Sequence, residues 1–284
     1  MDLALAGKTA VVVGGSSNIG RAAVLAFGRE GANVVVAARH RDDCEKVARA
    51  VAGPGGRSAL VVQLDATKYE DVERLARETI EAFGSIDIFV GSIGWDSPGN
   101  FLDVSRDEWQ GVIESNYVFT LNYFHVLLPI MLKQGRGAII TVSSVMGRRG
   151  DPLEPVYAGT KAAQILFSQC MARQYGRKGL RINVVAPGPT PPVTFEMMGG
   201  HSLWSRSEQG EVGWSTRPRN DEAGPVLVPV AGGPQAALLA ATAMGKFATA
   251  DDVAAAILFL ASEVTGGHLT GQVIGVDGGL YMPH

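Results

Sequence analysis

The sequence predicts an α/β fold, a doubly wound parallel sheet with helices on both faces, in a single domain spanning 1–284. Three observations carry this expectation. Short β-branched runs alternate with longer amphipathic stretches from one end to the other. The short runs are apolar throughout, as in parallel strands covered on both faces, and do not alternate apolar with polar. The 284 residues, with 46% hydrophobic content, suffice for one large core and set aside disorder as the main state.

The elements follow in order. Thr9 to Val13 is a strand bounded by glycines, and Ile19 to Glu30 a helix. Val34 to Ala37 is the second strand, followed by a charged amphipathic helix from Asp42 to Ala52. Ala59 to Leu64, the helix Tyr69 to Phe83 and the strand Ile86 to Val90 continue the rhythm. One long helix is expected from Arg106 to about Lys133 despite Pro129, because Trp109, Val112, Ile113 and Phe119 recur at helical spacing. Ala138 to Val142, the helix Val156 to Tyr175, Leu180 to Val185, the helix Asp251 to Ala261 and Gln272 to Val276 complete the pattern. The stretch from Pro187 to Lys246 breaks it, being rich in Gly and Pro and without periodicity. A structureless loop of that length inside a compact domain is usually functional, so about 189–246 reads as a flap with short helical pieces; a disordered insertion is the alternative.

Composition removes several function classes. With Lys plus Arg at 25 and Asp plus Glu at 28, the formal charge of −3 gives no sign of a nucleic-acid or membrane-surface binder. Cys44 and Cys170 cannot make a disulfide framework and are expected as buried, reduced thiols. The N-terminal residues lack a basic region before an apolar run, so no secretory signal is expected. The apolar run Val253 to Ala261 is too short to span a bilayer. The five histidines show no metal-ligand spacing. A soluble, cytoplasmic chain is expected.

The first strand runs into Gly14-Gly15-Ser16-Ser17-Asn18-Ile19-Gly20 and then a helix. Glycines there let the backbone approach a pyrophosphate, and the helix N-terminus offers free N–H groups, as in a Rossmann-like dinucleotide site. Asn18 stands where a middle glycine is expected, and asparagine tolerates positive φ better than most residues. The second strand ends in Ala38-Arg39-His40-Arg41, with no acid to hold a ribose 2′-hydroxyl. Arg39 with His40 favours NADP over NAD by pairing with a 2′-phosphate; the other reading is a solvated surface arginine. Asp65, with the Ala66 backbone beside it, either holds the adenine amino group or caps the next helix.

Tyr157 and Lys161 stand four apart on one helix face. A lysine beside a tyrosine favours the phenolate and lowers its pKa from about 10, giving an acid/base for an alcohol oxygen. Ser144 ends the preceding strand, where open α/β sheets bind ligands, and can hydrogen-bond a substrate carbonyl. It lacks the G-x-S-x-G elbow of a nucleophile.

These motifs together resemble the short-chain dehydrogenase/reductase family, in its FabG-like branch, over nearly the whole chain. The resemblance rests on the glycine loop, Asp65, Gly91-Ser92-Ile93-Gly94, Asn116, Ser144, Tyr157, Lys161, Pro187-Gly188 and Gly271 to Gly279. It implies that Tyr157 is the acid/base and Ser144 orients the substrate oxygen. Lys161 lowers the tyrosine pKa and holds the nicotinamide ribose. Asn116 kinks its helix and holds a water that extends a proton relay. It also implies that Ser92, Gly94, Pro187, Gly188 and Thr190 line the cofactor, with Thr194 as an alternative to Thr190. Two departures stand out. Gly91-Ser92-Ile93-Gly94 replaces the family's Asn-Asn-Ala-Gly, removing an asparagine that ties the central strands, and Asn18 replaces a glycine.

The implied reaction is hydride transfer between a nicotinamide and a carbonyl or secondary alcohol. Phe195, Met197, Met198, His201, Leu203, Trp204 and Trp214 either wall a bulky apolar or aromatic pocket, with Trp95 and Leu153, or pack the flap onto the body. The resemblance further implies a homotetramer, with a dimer contact through the two long helices and the C-terminal strand region closing the tetramer; a dimer is the alternative. Two alternatives remain: an NAD-dependent alcohol dehydrogenase of the same family, and a non-catalytic nucleotide sensor. Enoyl reductases of the family space tyrosine and lysine more widely.

Overall fold

In the computed structural model the described residues are 1–51, 59–192, 214–217, 226–229, 231 and 233–282. The chain opens with β1 (Thr9–Val13), α1 (Asn18–Arg29), β2 (Asn33–Ala38), α2 (Arg41–Val51), β3 (Ala59–Gln63) and α3 (Tyr69–Phe83). There follow β4 (Ile88–Gly91), α4 (Arg106–Ile113), a π turn (Glu114–Val118), α5 (Phe119–Gln134), β5 (Gly137–Val142), α6 (Met146–Arg149), α7 (Pro155–Tyr175) and β6 (Leu180–Pro187). The last elements are β7 (Trp214–Arg217), β8 (Val226–Pro229), α8 (Pro234–Ala241), α9 (Ala250–Ala261), α10 (Glu263–Gly266) and β9 (Val273–Val276).

Seven strands form one sheet in the order β3-β2-β1-β4-β5-β6-β9, with every adjacent pair parallel. All five residues of β1 are buried, as its unbroken apolar run requires. Phe27 and Val24 of α1 pack with Val253, Ile257 and Leu260 of α9 on one face. Phe119, Tyr123, Phe124 and Leu127 of α5 pack with Leu75 of α3 on the other. The chain reverses its direction of travel across the sheet between β1 and β4. A crevice opens beyond the carboxyl ends of the strands at such a point.

The structure alters four expectations. The long helix is interrupted by the π turn, because Phe119 N donates five residues back to the Glu114 carbonyl. The fourth strand begins at Ile88, although the backbone of Asp87 already meets both neighbours, its N donating to the Thr9 carbonyl at 3.0 Å and its carbonyl accepting from Ala138 N at 2.9 Å. Ile86 N donates to Gln134 Oε1 at 3.1 Å, and Asp87 Oδ2 accepts from Thr9 N at 3.0 Å. Cys44 is buried, which pushes its thiol up to about 11, but Cys170 is exposed. Within 189–246 the described pieces include α8 and also an antiparallel pair, β7 with β8. Strands of four residues in a Gly- and Pro-rich stretch carry too few side chains to show a period. No described helix is long and apolar enough to cross a membrane.

Candidate active site

A cleft of about 700 Å³ lies beyond the carboxyl ends of β1, β4, β5 and β6. One end is backbone. Gly14, Ser16, Ser17, Asn18, Ile19 and Gly20 line it between β1 and α1. Gly14 has φ +83°, and a Cβ on it would lie 2.3 Å from the Ser92 carbonyl oxygen; a Cβ on Gly20 would lie 2.0 Å from the Gly14 carbonyl oxygen. No side chain fits either position, which fixes both as glycine. Asn18 adopts φ +38°. Its Nδ2 donates to the Thr190 carbonyl at 2.8 Å, so the residue in the middle glycine's place tethers the loop to the chain after β6. The buried Oδ1 of Asn18 has no protein partner. Ser17 sits at the N-cap of α1 without a side-chain cap bond, leaving first-turn N–H groups to face the cleft. This cradle fits a pyrophosphate.

Arg39, His40, Asp65 and Ala66 line the same end. Asp65 does not cap α3, whose N-cap is Lys68. Its Oδ1 accepts from Thr67 N at 3.1 Å and Thr67 Oγ1 at 2.7 Å, an Asx turn that holds the carboxylate beside the cleft.

The other end holds the reactive groups. Ser144, Tyr157 and Lys161 line it with Ser92, Gly94, Trp95, Pro187, Gly188 and Thr190. The Ser144 hydroxyl accepts from Met146 N at 3.1 Å and is hydrogen-bonded to the Tyr157 phenol. Lys161, only 1% exposed, donates to the carbonyls of Ile93 and Val142 at 3.3 Å each, and its Nζ lies 5.4 Å from the Tyr157 ring centroid. Burial presses the Lys161 ammonium down to about 7, opposed by the charge of Asp96. Burial also raises the Tyr157 phenol above its ordinary value, with the Glu154 carboxylate adding to the rise. Desolvation thus opposes the lowering of Tyr157 expected from Lys161, whose N–H groups point at two carbonyls.

Asn116 is not part of the cleft wall. It is fully buried behind it, in the π turn, with Nδ2 donating to the carbonyls of Trp95 and Val112 at 2.7 Å each. Leu153 is 46% exposed and stands outside the cleft. A turn closed by Leu153 N to Asp151 Oδ1 carries it to the surface. The flap residues Phe195, Met197, Met198, His201, Leu203 and Trp204, the alternative Thr194, and the Trp214 side chain lie outside the described residues.

Sequence reasoning missed Asp96 and Glu154, which line the cleft beside Trp95 and Tyr157. Burial lifts Asp96 to about 6, and it lifts Glu154 to about 8 with the help of Asp96 and Asp151. The only signal was the placing of two acids, one just after the fourth strand and one just before the tyrosine.

The replaced asparagine also finds an explanation. A Cβ at Gly91 would lie 3.1 Å from the Tyr123 ring. That ring fills the space, and its hydroxyl pairs with Thr141 Oγ1 at 2.6 Å, which in turn meets Ser168 Oγ at 3.2 Å. A buried chain of hydroxyls thus ties β5 to α5 and α7.

Residues 8–198 match the family described as short chain dehydrogenase. Curated relatives match over nearly all of both chains. The 3-oxoacyl-[acyl-carrier-protein] reductase FabG of Thermotoga maritima is 28% identical over 279 residues, 98% of this chain and 99% of the relative. The protein of that name from Chlamydia muridarum is 29% identical over 280 residues, 99% and 100%. The one from Staphylococcus aureus strain N315 is 30% identical over 276 residues, 97% and 98%.

Proposed function

The chain belongs to the short-chain dehydrogenase family of NAD(P)-dependent oxidoreductases, and from that premise we propose that it is an NADPH-dependent carbonyl reductase. One observation carries the reading: Ser144, Tyr157 and Lys161 converge at one end of a cleft whose other end is the glycine cradle with Arg39. Ser144 and Tyr157 hold the substrate carbonyl oxygen. Tyr157 gives its phenolic proton to that oxygen as the carbonyl carbon becomes tetrahedral, and the Lys161 ammonium stabilises the phenolate left behind. The dinucleotide supplies the hydride. Burial raises the Tyr157 phenol above its ordinary value, so near neutral pH the group carries the proton that the carbonyl oxygen receives.

Arg39 supports NADPH over NADH. Asp43, which lines that end together with Asp65, is engaged by Lys46 at 3.0 Å. Trp95, Met146 and Leu238 give the substrate end apolar walls, and the relatives' names point to 3-oxoacyl thioesters as its substrate class. The segment about 189–246 acts as the flap over it. Exposed Leu121 and Leu166 on α5 and α7 support assembly of copies through these helices, up to a homotetramer. Light scattering tests that assembly.

The test of function is titration with NADPH and NADH by fluorescence, followed by reduction of the acetoacetyl N-acetylcysteamine thioester. NADPH is expected to bind at least about tenfold more tightly, and Arg39→Asp to erase the difference. Preference for NADH supports the NAD-dependent alcohol dehydrogenase instead. Binding without turnover of any ketone or alcohol supports the nucleotide sensor.

A further inference from the structure

Tyr157, Lys161, Gln164 and Ser168 share one face of α7, and the last three are each 1% exposed. Gln164 takes no part in lining the cleft. Its Nε2 donates to the Asn116 carbonyl and to Thr120 Oγ1, both at 2.8 Å, and Thr120 Oγ1 donates to the same carbonyl at 2.8 Å. The carbonyl of Asn116 therefore already has two donors. It belongs to the π turn, where backbone bonds run five residues instead of four and the local ladder is disrupted. The carboxamide of Asn116 has both donors engaged, on Trp95 and Val112. Its remaining polar atom is Oδ1, buried and without a protein partner. The point a Cβ would occupy on Gly94 lies 3.7 Å from that oxygen and 3.5 Å from Lys161 Nζ. Asn116 Oδ1 and the Lys161 ammonium thus share the space beside Gly94. Two of the three ammonium N–H groups are committed to carbonyls.

We infer that Gln164 is a positioning residue for proton transfer: by bracing the π turn through the Asn116 carbonyl, it makes the Asn116 side-chain oxygen the acceptor presented toward Lys161. The inference rests on Tyr157 and Lys161 being the proton-transfer pair. It concerns a residue that touches neither cleft nor substrate. Without the Gln164 donors the π turn loses its grip on α7, and Asn116 Oδ1 shifts relative to Lys161. A misplacement of about 1 Å is enough to slow a positioned step by up to about 100-fold.

The test is Gln164→Met, which keeps length and bulk but donates nothing. Three readouts are compared with the wild type: NADPH affinity, kcat and KM with the acetoacetyl thioester, and amide hydrogen exchange over residues 112–121 with NADPH bound. The expected result is unchanged NADPH affinity and KM and a kcat lowered by about 10- to 100-fold. A larger solvent deuterium isotope effect on kcat and faster exchange in 112–121 should accompany it. A variant that loses only melting temperature, with kcat, isotope effect and exchange unchanged, overturns the inference. If Gln164→Met does not fold, Thr120→Val, which removes the other donor on the same carbonyl, should lower kcat in the same direction, and an unchanged kcat overturns the inference. If the wild type itself reduces no ketone, the proposed function fails. The exchange readout then decides the role of Gln164 alone: faster exchange supports it and unchanged exchange refutes it.

Discussion

The two ends of the cleft are built by different physics. The dinucleotide end is shaped by backbone exclusion: Gly14 and Gly20 are glycine because a Cβ would collide with main-chain oxygens at 2.3 and 2.0 Å. The chemical end is shaped by burial of ionisable groups. Asp96, Glu154, Tyr157 and Lys161 arrive from two separate stretches of chain, and desolvation is the first cause of every shift among them. Each steric constraint is a single close approach, of Gly20 to the Gly14 carbonyl or of Gly14 to that of Ser92, whereas desolvation depends on everything packed around a group. The first end should therefore break on adding a methyl, and the second on changing a charge.

The largest effect tests the steric end. Gly20→Ala should lower NADPH affinity by more than about 100-fold, since either the loop or α1 must move to admit the methyl. Near-normal affinity in a fluorescence titration would show that the cradle is softer than its geometry. Lys161→Met follows at the chemical end. Turnover should fall by about 100-fold or more, with some loss of cofactor affinity. Melting temperature should hold or rise, because a desolvated ammonium is replaced by an apolar chain. Unchanged turnover would remove Lys161 from the mechanism.

Glu154→Gln sharpens the contrast further. Glu154 has its pKa raised in the folded state from 4.5 to about 8. The folded chain then binds this proton more tightly than the unfolded chain, so stability falls as pH rises through that window and levels off above about 8. The glutamine variant should show a flatter decline of melting temperature between these limits. The same slope in both proteins would mean that Glu154 is solvated. The smallest effect is expected where neither kind of physics operates. Arg41→Ala removes an exposed i,i+4 pair with Glu45 at 2.8 Å and should change unfolding free energy by about 0.5 kcal/mol or less in a urea titration.

The same division explains what could be read from the sequence. The seven strands, the glycine loop, Arg39, Asp65 and the pair Tyr157 and Lys161 were legible because each is a local pattern of period, sterics or spacing. The roles of Asp96 and Glu154 were not, because an acid before a helix reads as a surface residue until its burial is known. The apolar spacing of α4 and α5 continues through the π turn around Asn116, so periodicity gave no sign of it and only the resemblance implied a kink there. Tyr123 looked like one more core aromatic; that it fills the space beside Gly91 and ties α5 to β5 appears only when three elements meet. The desolvation of Tyr157 was hidden for the same reason, since the neighbouring lysine is visible in sequence and the burial is not.

The most direct test of the account is Tyr157→Phe, with NADPH affinity and reduction of the acetoacetyl thioester measured on the same preparation. The phenol is buried, so its ring should keep the cleft intact while the transferable proton is gone. NADPH binding within about twofold of wild type and turnover lower by about 100- to 10,000-fold are predicted. Turnover close to wild type in a variant that binds NADPH normally would contradict the assignment of Tyr157 as the proton donor.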